Sequence, residues 1–355
     1  MTDRHPYRIS GDLPLAIGPL SDAPSDRDFV ALCCWLQENR AWVYEQLIEH
    51  GALRFRGFGI DTPKHFEILA RSIDAELKNN YLGTSPRNEL TEYVFSASEL
   101  PDYFPIPQHC EMSFCSTPPR RLFFQCLEAP AAGSGETTLC DFRKVWRDLP
   151  DEICKRFEEK GIRIVRNYAC RNTESTENER SNDPTMLKSW DEMFGTTDRD
   201  EVEKQCREEG FETEWLEHDG LRLTSTQPVF RDHPVSGTRA WFNHTTTFHS
   251  GTALAELSRI AKYRPSERHL GLVKIATLLQ EKLEATPPEE RSMHCTHLDG
   301  SEISQADLEV VRDTIWRHLV VEPWKRGDVV AIDNYSISHG RLPYEGARKI
   351  AVCWA

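Results

Sequence analysis

Trp324-Lys-Arg-Gly-Asp-Val-Val-Ala-Ile-Asp333-Asn-Tyr-Ser-Ile-Ser-His-Gly-Arg-Leu-Pro-Tyr-Glu-Gly-Ala-Arg348-Lys-Ile-Ala-Val-Cys-Trp354 is two extended runs set about one histidine. Trp324 to Asp333 and Arg348 to Trp354 read as strands, with His339 in the short loop between them. Upstream, Leu122-Phe-Phe-Gln-Cys-Leu127 is a short apolar run bounded by turn signals, the pattern of a buried strand. Gly51-Ala-Leu-Arg-Phe-Arg-Gly-Phe58 alternates, Gly161 to Tyr168 reads as a strand, and strands recur through 213–243. Helices are expected at Asp26 to His50 and at Pro63 to Leu77, the second capped by Thr62 with Pro at its first position. Others are expected from Phe142 to Lys160, broken at Pro150, from Arg199 to Glu209 and from Ser266 to Leu283. Residues 78–120 are loop-rich. Residues 171–186 are polar almost throughout, so a mobile lid is expected near 171–190.

Strands dominate both halves, and helices enter at the start and as insertions. No strand–helix alternation with a glycine-rich phosphate loop occurs, which argues against dinucleotide and P-loop folds. The expectation is a mainly β single domain over 1–355, a sandwich or jelly-roll barrel with added helices.

The composition is that of an ordinary soluble globular chain, with 39% hydrophobic and 28% charged residues. A formal net charge of −14 repels phosphate backbones, so nucleic acid is not an expected partner. No run approaches the ~20 apolar residues of a membrane span, and the first twenty residues have no apolar signal-peptide core. Eleven cysteines without a C-x-x-C pair suggest packing thiols in a reduced, cytoplasmic chain.

Two imidazoles and one carboxylate on one face of an iron(II) ion leave three positions open for co-substrate and O2. A H-x-D/E pair supplies two of those ligands, because residues two apart on extended chain point the same way. The pair alone is weak evidence: 13 histidines and 57 acidic residues give about two chance matches, and three occur. His65-Phe-Glu67 falls inside an expected helix, where positions two apart do not share a face. His297-Leu-Asp299 runs into Gly300; with His294 and Cys295 nearby it looks like a metal cluster, but a solvated loop is the better reading. His109-Cys-Glu111 lies in irregular chain leading into the 122–127 strand and is the best candidate. His339 is the distant third ligand, with an ordinary surface histidine as the alternative.

The order of several segments is specific. Tyr81-Leu-Gly-Thr-Ser-Pro-Arg87, Gln108-His-Cys-Glu-Met-Ser113 and Gly135-Glu-Thr-Thr-Leu-Cys-Asp-Phe-Arg143 come first. Val165-Arg-Asn-Tyr168, His233-Pro-Val-Ser-Gly237, Trp241-Phe-Asn-His244 and Thr247-Phe-His-Ser250 follow, before Asp333 to Arg348. From about Gly51 onward the chain resembles the taurine dioxygenase-like (TauD/TfdA) family of iron(II) and 2-oxoglutarate-dependent oxygenases. It is most similar to the H-x-E branch that includes the syringomycin hydroxylase.

The resemblance implies a double-stranded β-helix (jelly-roll, cupin-like) core with iron held by His109, Glu111 and His339. It implies that Arg348 and Thr137 hold the far carboxylate of 2-oxoglutarate, for which a planar guanidinium is chemically apt. Arg341 is the competing cation, and a surface arginine on an edge strand is the alternative for Arg348. Strand alternation places Arg348, Ile350 and Val352 on one face. Val352 stands where taurine dioxygenase has its sulfonate-binding arginine, which disfavours a sulfonate substrate. Asn243 and His244 lie in a segment bordering the substrate cavity in relatives, with a hydrogen-bonded core role the alternative for His244. Ser85 and Arg87 are further substrate-binding candidates, with loop stabilisation as their alternative.

The implied reaction consumes 2-oxoglutarate and O2, releases succinate and CO2, and hydroxylates an unactivated C–H bond of a small substrate. That substrate is expected to be amino-acid-like, free or carrier-tethered. Halogenating relatives replace the metal carboxylate with a small residue, so Glu111 favours hydroxylation, with desaturation or cyclisation as alternatives. A non-catalytic jelly-roll binding protein and a zinc hydrolase are the rivals. The first is expected to have lost a ligand or the arginine, and the second needs a general base that the motifs do not show.

Overall fold

The computed structural model describes residues 6–84, 87–98, 100–169, 187 and 189–355. Residues 170–186 and 188, which hold most of the expected lid, and Ser85 lie outside the described residues.

The frame is a seven-stranded sheet facing a four-stranded one. The larger runs in the order Arg8–Ser10, Leu15–Gly18, Ala52–Phe55, Val329–Asp333, Arg121–Glu128, Lys349–Trp354, Phe95–Ser96. The smaller runs Leu319–Val320, Thr137–Asp141, Ile337–Arg341, Ile106–His109. The apolar strands expected from sequence form the centre of the larger sheet because both of its faces are covered. Along Arg121–Glu128, Leu122, Phe124 and Cys126 point into the space between the sheets. Phe123 points the other way, with Ala331 and Ala351, against Leu32, Leu36, Phe66 and Leu69 of the N-terminal helices. These alternating faces give two cores on either side of one sheet. The mainly β jelly-roll with added helices is thus the observed architecture.

A third sheet, ordered Met293–Thr296, Ile162–Tyr168, Leu221–Gln227, Glu212–Trp215, packs into the same inner core. A short helix, Thr245–Phe248, touches both this sheet and Ile106–His109.

Several local expectations need correction. The helix expected over Asp26 to His50 is two, Phe29–Glu38 and Arg40–His50. Asn39 leaves helical geometry at φ −110° and bonds back to Trp35 O, and Asp28 caps the first helix. The strand expected from Trp324 is only Val329–Asp333, because Lys325 to Asp328 form a turn through Gly327 at φ +82°. The solvated loop expected at His294–Asp299 is wrong in its first half. Met293–Thr296 is a strand paired with Ile162–Tyr168, and His294, Cys295 and His297 are buried. Helices Thr252–Tyr263 and Gln305–Arg317 carry no counterpart in the sequence expectations.

The smaller sheet leaves no slack around His339. A Cβ added at Gly340 would lie 2.6 Å from Ile106 O and 2.7 Å from the Gln108 side-chain nitrogen. Gly340→Ala is therefore expected to push the Ile106–His109 strand away, costing about 1–3 kcal/mol and weakening metal binding. Gly271, in the Glu267–Ala285 helix, has nothing within 4 Å of such a Cβ. Gly271→Ala should raise stability by ~0.5–1 kcal/mol. Thermal denaturation of the two variants checks the contrast.

Candidate metal and co-substrate site

His109 ends one strand of the smaller sheet, and His339 lies at the centre of the next. Their Cα atoms are register partners, and their rings sit 4.3 Å apart. The chain then turns sharply, with Met112 at φ 50°, and this turn brings Glu111 back beside the two imidazoles. One ligand atom from each of His109, Glu111 and His339 lies within 4.8 Å of the others, and all three residues are buried or nearly so. No other such group occurs among the described residues. His65 lies in a helix against Phe29, and His297 bonds to Gly161 O.

The donor set suits a divalent cation. His109 Nδ1 is 2.9 Å from Pro107 O, and a carbonyl only accepts, so Nδ1 carries the proton and Nε2 the free lone pair. Burial, and then the neighbouring His339, pull the His109 pKa down to about 4, so the ring is neutral at physiological pH. Burial pushes the Glu111 carboxyl up, but Arg87 and the two histidines outweigh it and hold the group well below the usual carboxylate range. His339 Nε2 is 3.5 Å from Glu111 Oε2, while its buried Nδ1 has no hydrogen-bond partner among the described residues. Two imidazoles and an ionised carboxylate converging on one point are the donors that iron(II) takes in a three-ligand face.

The surroundings fix these ligands. Asn334 accepts from Glu111 N at 2.7 Å and donates to Glu111 O at 3.0 Å and Pro119 O at 2.8 Å. Gln108 donates to Thr138 and accepts from Ser338 Oγ at 2.7 Å, joining three of the sheet's four strands. The Phe124 ring, from the larger sheet, lies 5.0 Å from His339. Cys110 and Cys115 are buried beside the turn, and burial pushes the Cys115 thiol up to about 12 and that of Cys110 well above its ordinary value.

Arg87 is buried and ion-paired with Glu111 at 3.1 Å. Its guanidinium also donates to Tyr81 Oη at 3.1 Å, and that hydroxyl donates to Glu111 Oε1 at 3.3 Å. His244 is buried, bonded to Ser113 Oγ at 2.6 Å, with its ring 5.3 Å from that of His109. Asn243 is turned inward: it donates to Val229 O and accepts from Thr245 N and Oγ1. These bonds shape the turn that carries His244.

Arg348 lies just before the Lys349–Trp354 strand, which has a register shift between Lys349 and Ile350. Simple alternation therefore does not set its direction. Its Nε donates to Gly135 O at 2.7 Å and its Nη2 to Thr137 Oγ1 at 3.2 Å. Gly135 must be glycine here, at φ +62°, because a Cβ would meet Tyr344 at 2.7 Å and Arg348 at 3.1 Å. No carboxylate among the described residues pairs with Arg348. Burial, and then the like charge of Arg341, pull its pKa to about 10, which still leaves a cation at neutral pH. Thr137 is the register partner of Arg341, two residues and roughly 7 Å along the strand from His339. A five-carbon diacid bridges such an interval. Arg341 is differently engaged, with bonds to Leu100 O, Pro101 O and Phe104 O.

Asn334, Gln108 and Tyr81 were not singled out as site residues from the sequence. All three sit in or beside the motif segments, but their roles are made by contacts between distant strands.

The model of the "Taurine catabolism dioxygenase TauD, TfdA family" matches residues 13–354. Dapdiamide synthesis protein DdaC of Enterobacter agglomerans is 29% identical over 308 residues, 87% of this chain and 83% of that one. A clavaminate synthase-like protein of Arabidopsis thaliana is 26% identical over 310 residues, 86% of this chain and 81% of that one. PvcB from Pseudomonas aeruginosa has a similar fold, with a TM-score of 0.52 at 14% identity, covering 100% of this chain and 92% of PvcB. A second PvcB structure, described as an Fe, alpha-ketoglutarate dependent oxygenase, gives the same score at 13% identity. With the His-x-Glu…His cluster in place, this chain belongs to the TauD/TfdA family and is an iron- and 2-oxoglutarate-dependent oxygenase.

Proposed function

We propose that the enzyme hydroxylates an unactivated C–H bond of a small, amino-acid-like molecule, free or carrier-tethered, releasing succinate and CO2. The observation that carries this reading is the retained Glu111 carboxylate between two imidazoles, with Arg348, uncompensated among the described residues, just before the Lys349–Trp354 strand of the facing sheet. Iron(II) held by these three residues would supply, with 2-oxoglutarate and O2, the oxidising power for C–H cleavage. The protein's share is placement. His109, Glu111 and His339 hold the metal on one face. Arg348 and Thr137 take the far carboxylate of 2-oxoglutarate, an assignment supported by the guanidinium's lack of a carboxylate partner among the described residues. His244 and Phe114, whose rings are 4.9 Å apart, wall the space beside His109 and keep water from it. The relative in dapdiamide synthesis supports a biosynthetic role. Free, mostly buried cysteines support the cytoplasm as its place, and no helix among the described residues is long and apolar enough to cross a membrane.

His109→Ala or His339→Ala should abolish iron binding in an anaerobic titration, since each removes one of three protein ligands, whereas His65→Ala and His297→Ala should leave it intact. Wild-type iron affinity in either ligand variant would show the metal set is misassigned.

Arg348→Met should raise the KM for 2-oxoglutarate roughly 10- to 150-fold, the loss of ~1.5–3 kcal/mol expected of a charge-assisted contact. Arg341→Met should instead lower the melting temperature, because it releases three backbone carbonyls. The reverse ranking would move the co-substrate role to Arg341.

The product formed under ¹⁸O2 in chloride buffer should gain one oxygen, at least partly labelled. A chlorinated product in the mass spectrum would overturn the role given to Glu111. Loss of two hydrogens would assign desaturation or ring closure.

A further inference from the structure

Arg166 lies at the centre of the Ile162–Tyr168 strand, on the face it shares with Ile162, Ile164 and Tyr168. Strand alternation sends that face into the inner core, and Arg166 is fully buried at 0% exposure. A buried guanidinium is ordinarily paired with a carboxylate. Among the described residues this one is not: Nη1 donates to Tyr168 Oη at 3.0 Å and to Leu82 O at 3.4 Å, while Nε and Nη2 have no partner there. Its planar group sits over the rings of Phe114, at 4.2 Å, and Phe211, at 4.7 Å. Cation–π contact offsets part of the desolvation cost but leaves two N–H directions unsatisfied.

Two routes connect this cation to the metal site. Phe114 lies against His244, and His244 lies 5.3 Å from His109. Leu82, whose carbonyl accepts from Arg166, follows Tyr81, whose hydroxyl donates to Glu111. Phe114 and His244 thus stand in line between Arg166 and His109. Glu111, the nearby carboxylate, is already engaged by Arg87.

We propose that Arg166 is the substrate's anion-binding residue, and that the molecule oxidised carries a carboxylate which Nε and Nη2 receive as a bidentate pair. This rests on the reading that the enzyme acts on a small molecule, and it narrows that molecule to an acid. The carboxylate is either the free end of an unattached amino acid or a side-chain acid on a carrier-tethered one.

The test uses the full chain loaded anaerobically with iron(II) and 2-oxoglutarate, and reads melting temperature at matched ionic strength. Acetate should raise it by roughly 2 °C where acetamide and chloride do not, and Arg166→Gln should abolish that difference. Tyr168→Phe removes only the hydroxyl that orients the guanidinium. It should weaken the acetate response, and it carries the comparison should the glutamine variant not fold. An acetate response equal to that of acetamide, or one unchanged in the variants, overturns the proposal. Alanine and the N-acetylcysteamine thioester of aspartate separate the two sources: the first offers only an α-carboxylate, the second only a side-chain one. Succinate formation under O2 on the same samples keeps the readings apart. Its absence counts against the oxygenase reading alone, and its presence without an acetate response counts against the anion site alone.

Discussion

The site depends on one strand pairing, the register that sets His109 opposite His339. Directly opposed residues on neighbouring antiparallel strands are held within about 5.5 Å by the ladder itself, before any side-chain interaction is counted. The two imidazoles are therefore brought together by backbone geometry, and a one-residue slip would send one of them to the other face. The surrounding bonds read as defences of that register. Gln108 ties three strands together, Gly340 permits their close approach, and Asn334 clamps the backbone of Glu111 from a turn far away in sequence. Ligand geometry thus comes from the pairing of the strands, which is the condition for a preorganised centre.

Four buried or nearly buried arginines surround this centre, and their partners differ. Arg87 is neutralised by the metal carboxylate, and Arg341 is engaged by loop carbonyls. Arg348 and Arg166 have only neutral partners among the described residues. A buried cation with no counter-ion is an unstable arrangement by itself, so its persistence points to an anion that arrives from outside. The readings proposed above assign 2-oxoglutarate to Arg348 and a substrate carboxylate to Arg166.

The central strands were legible because their periodicity and boundaries are local properties. Leu122–Leu127, Gly161–Tyr168 and the break at Pro150 all appear where the residues place them. The metal cluster was legible through motif order, because no spacing rule links His339 to His109 without knowledge of which strands pair. What escaped were features decided by tertiary contact. His294 and Cys295 looked solvated beside Asp299 and Gly300, yet their strand is buried by pairing with Ile162–Tyr168. Arg87 was a substrate candidate from its position, and its contact with Glu111 exists only because the loop folds over the site. Asn39 broke an otherwise continuous helical pattern through its own side-chain bond, a local competition that hydrophobic periodicity does not register.

The buried thiols near the ligands bear on how such an enzyme survives its own reaction. Oxygen and any partially reduced species that escape an iron centre attack thiolates far faster than thiols. With burial holding Cys115 near 12 and Cys110 well above its ordinary value, the thiolate fraction of either is vanishingly small at neutral pH. The desolvation that packs the core against the metal turn therefore also passivates it. Sulfenylation of the enzyme's own interior is suppressed by the same dielectric environment that sharpens its electrostatics. Cys34, exposed on the N-terminal helix and remote from the ligands, is left as the thiol open to solvent-borne oxidants among the described cysteines.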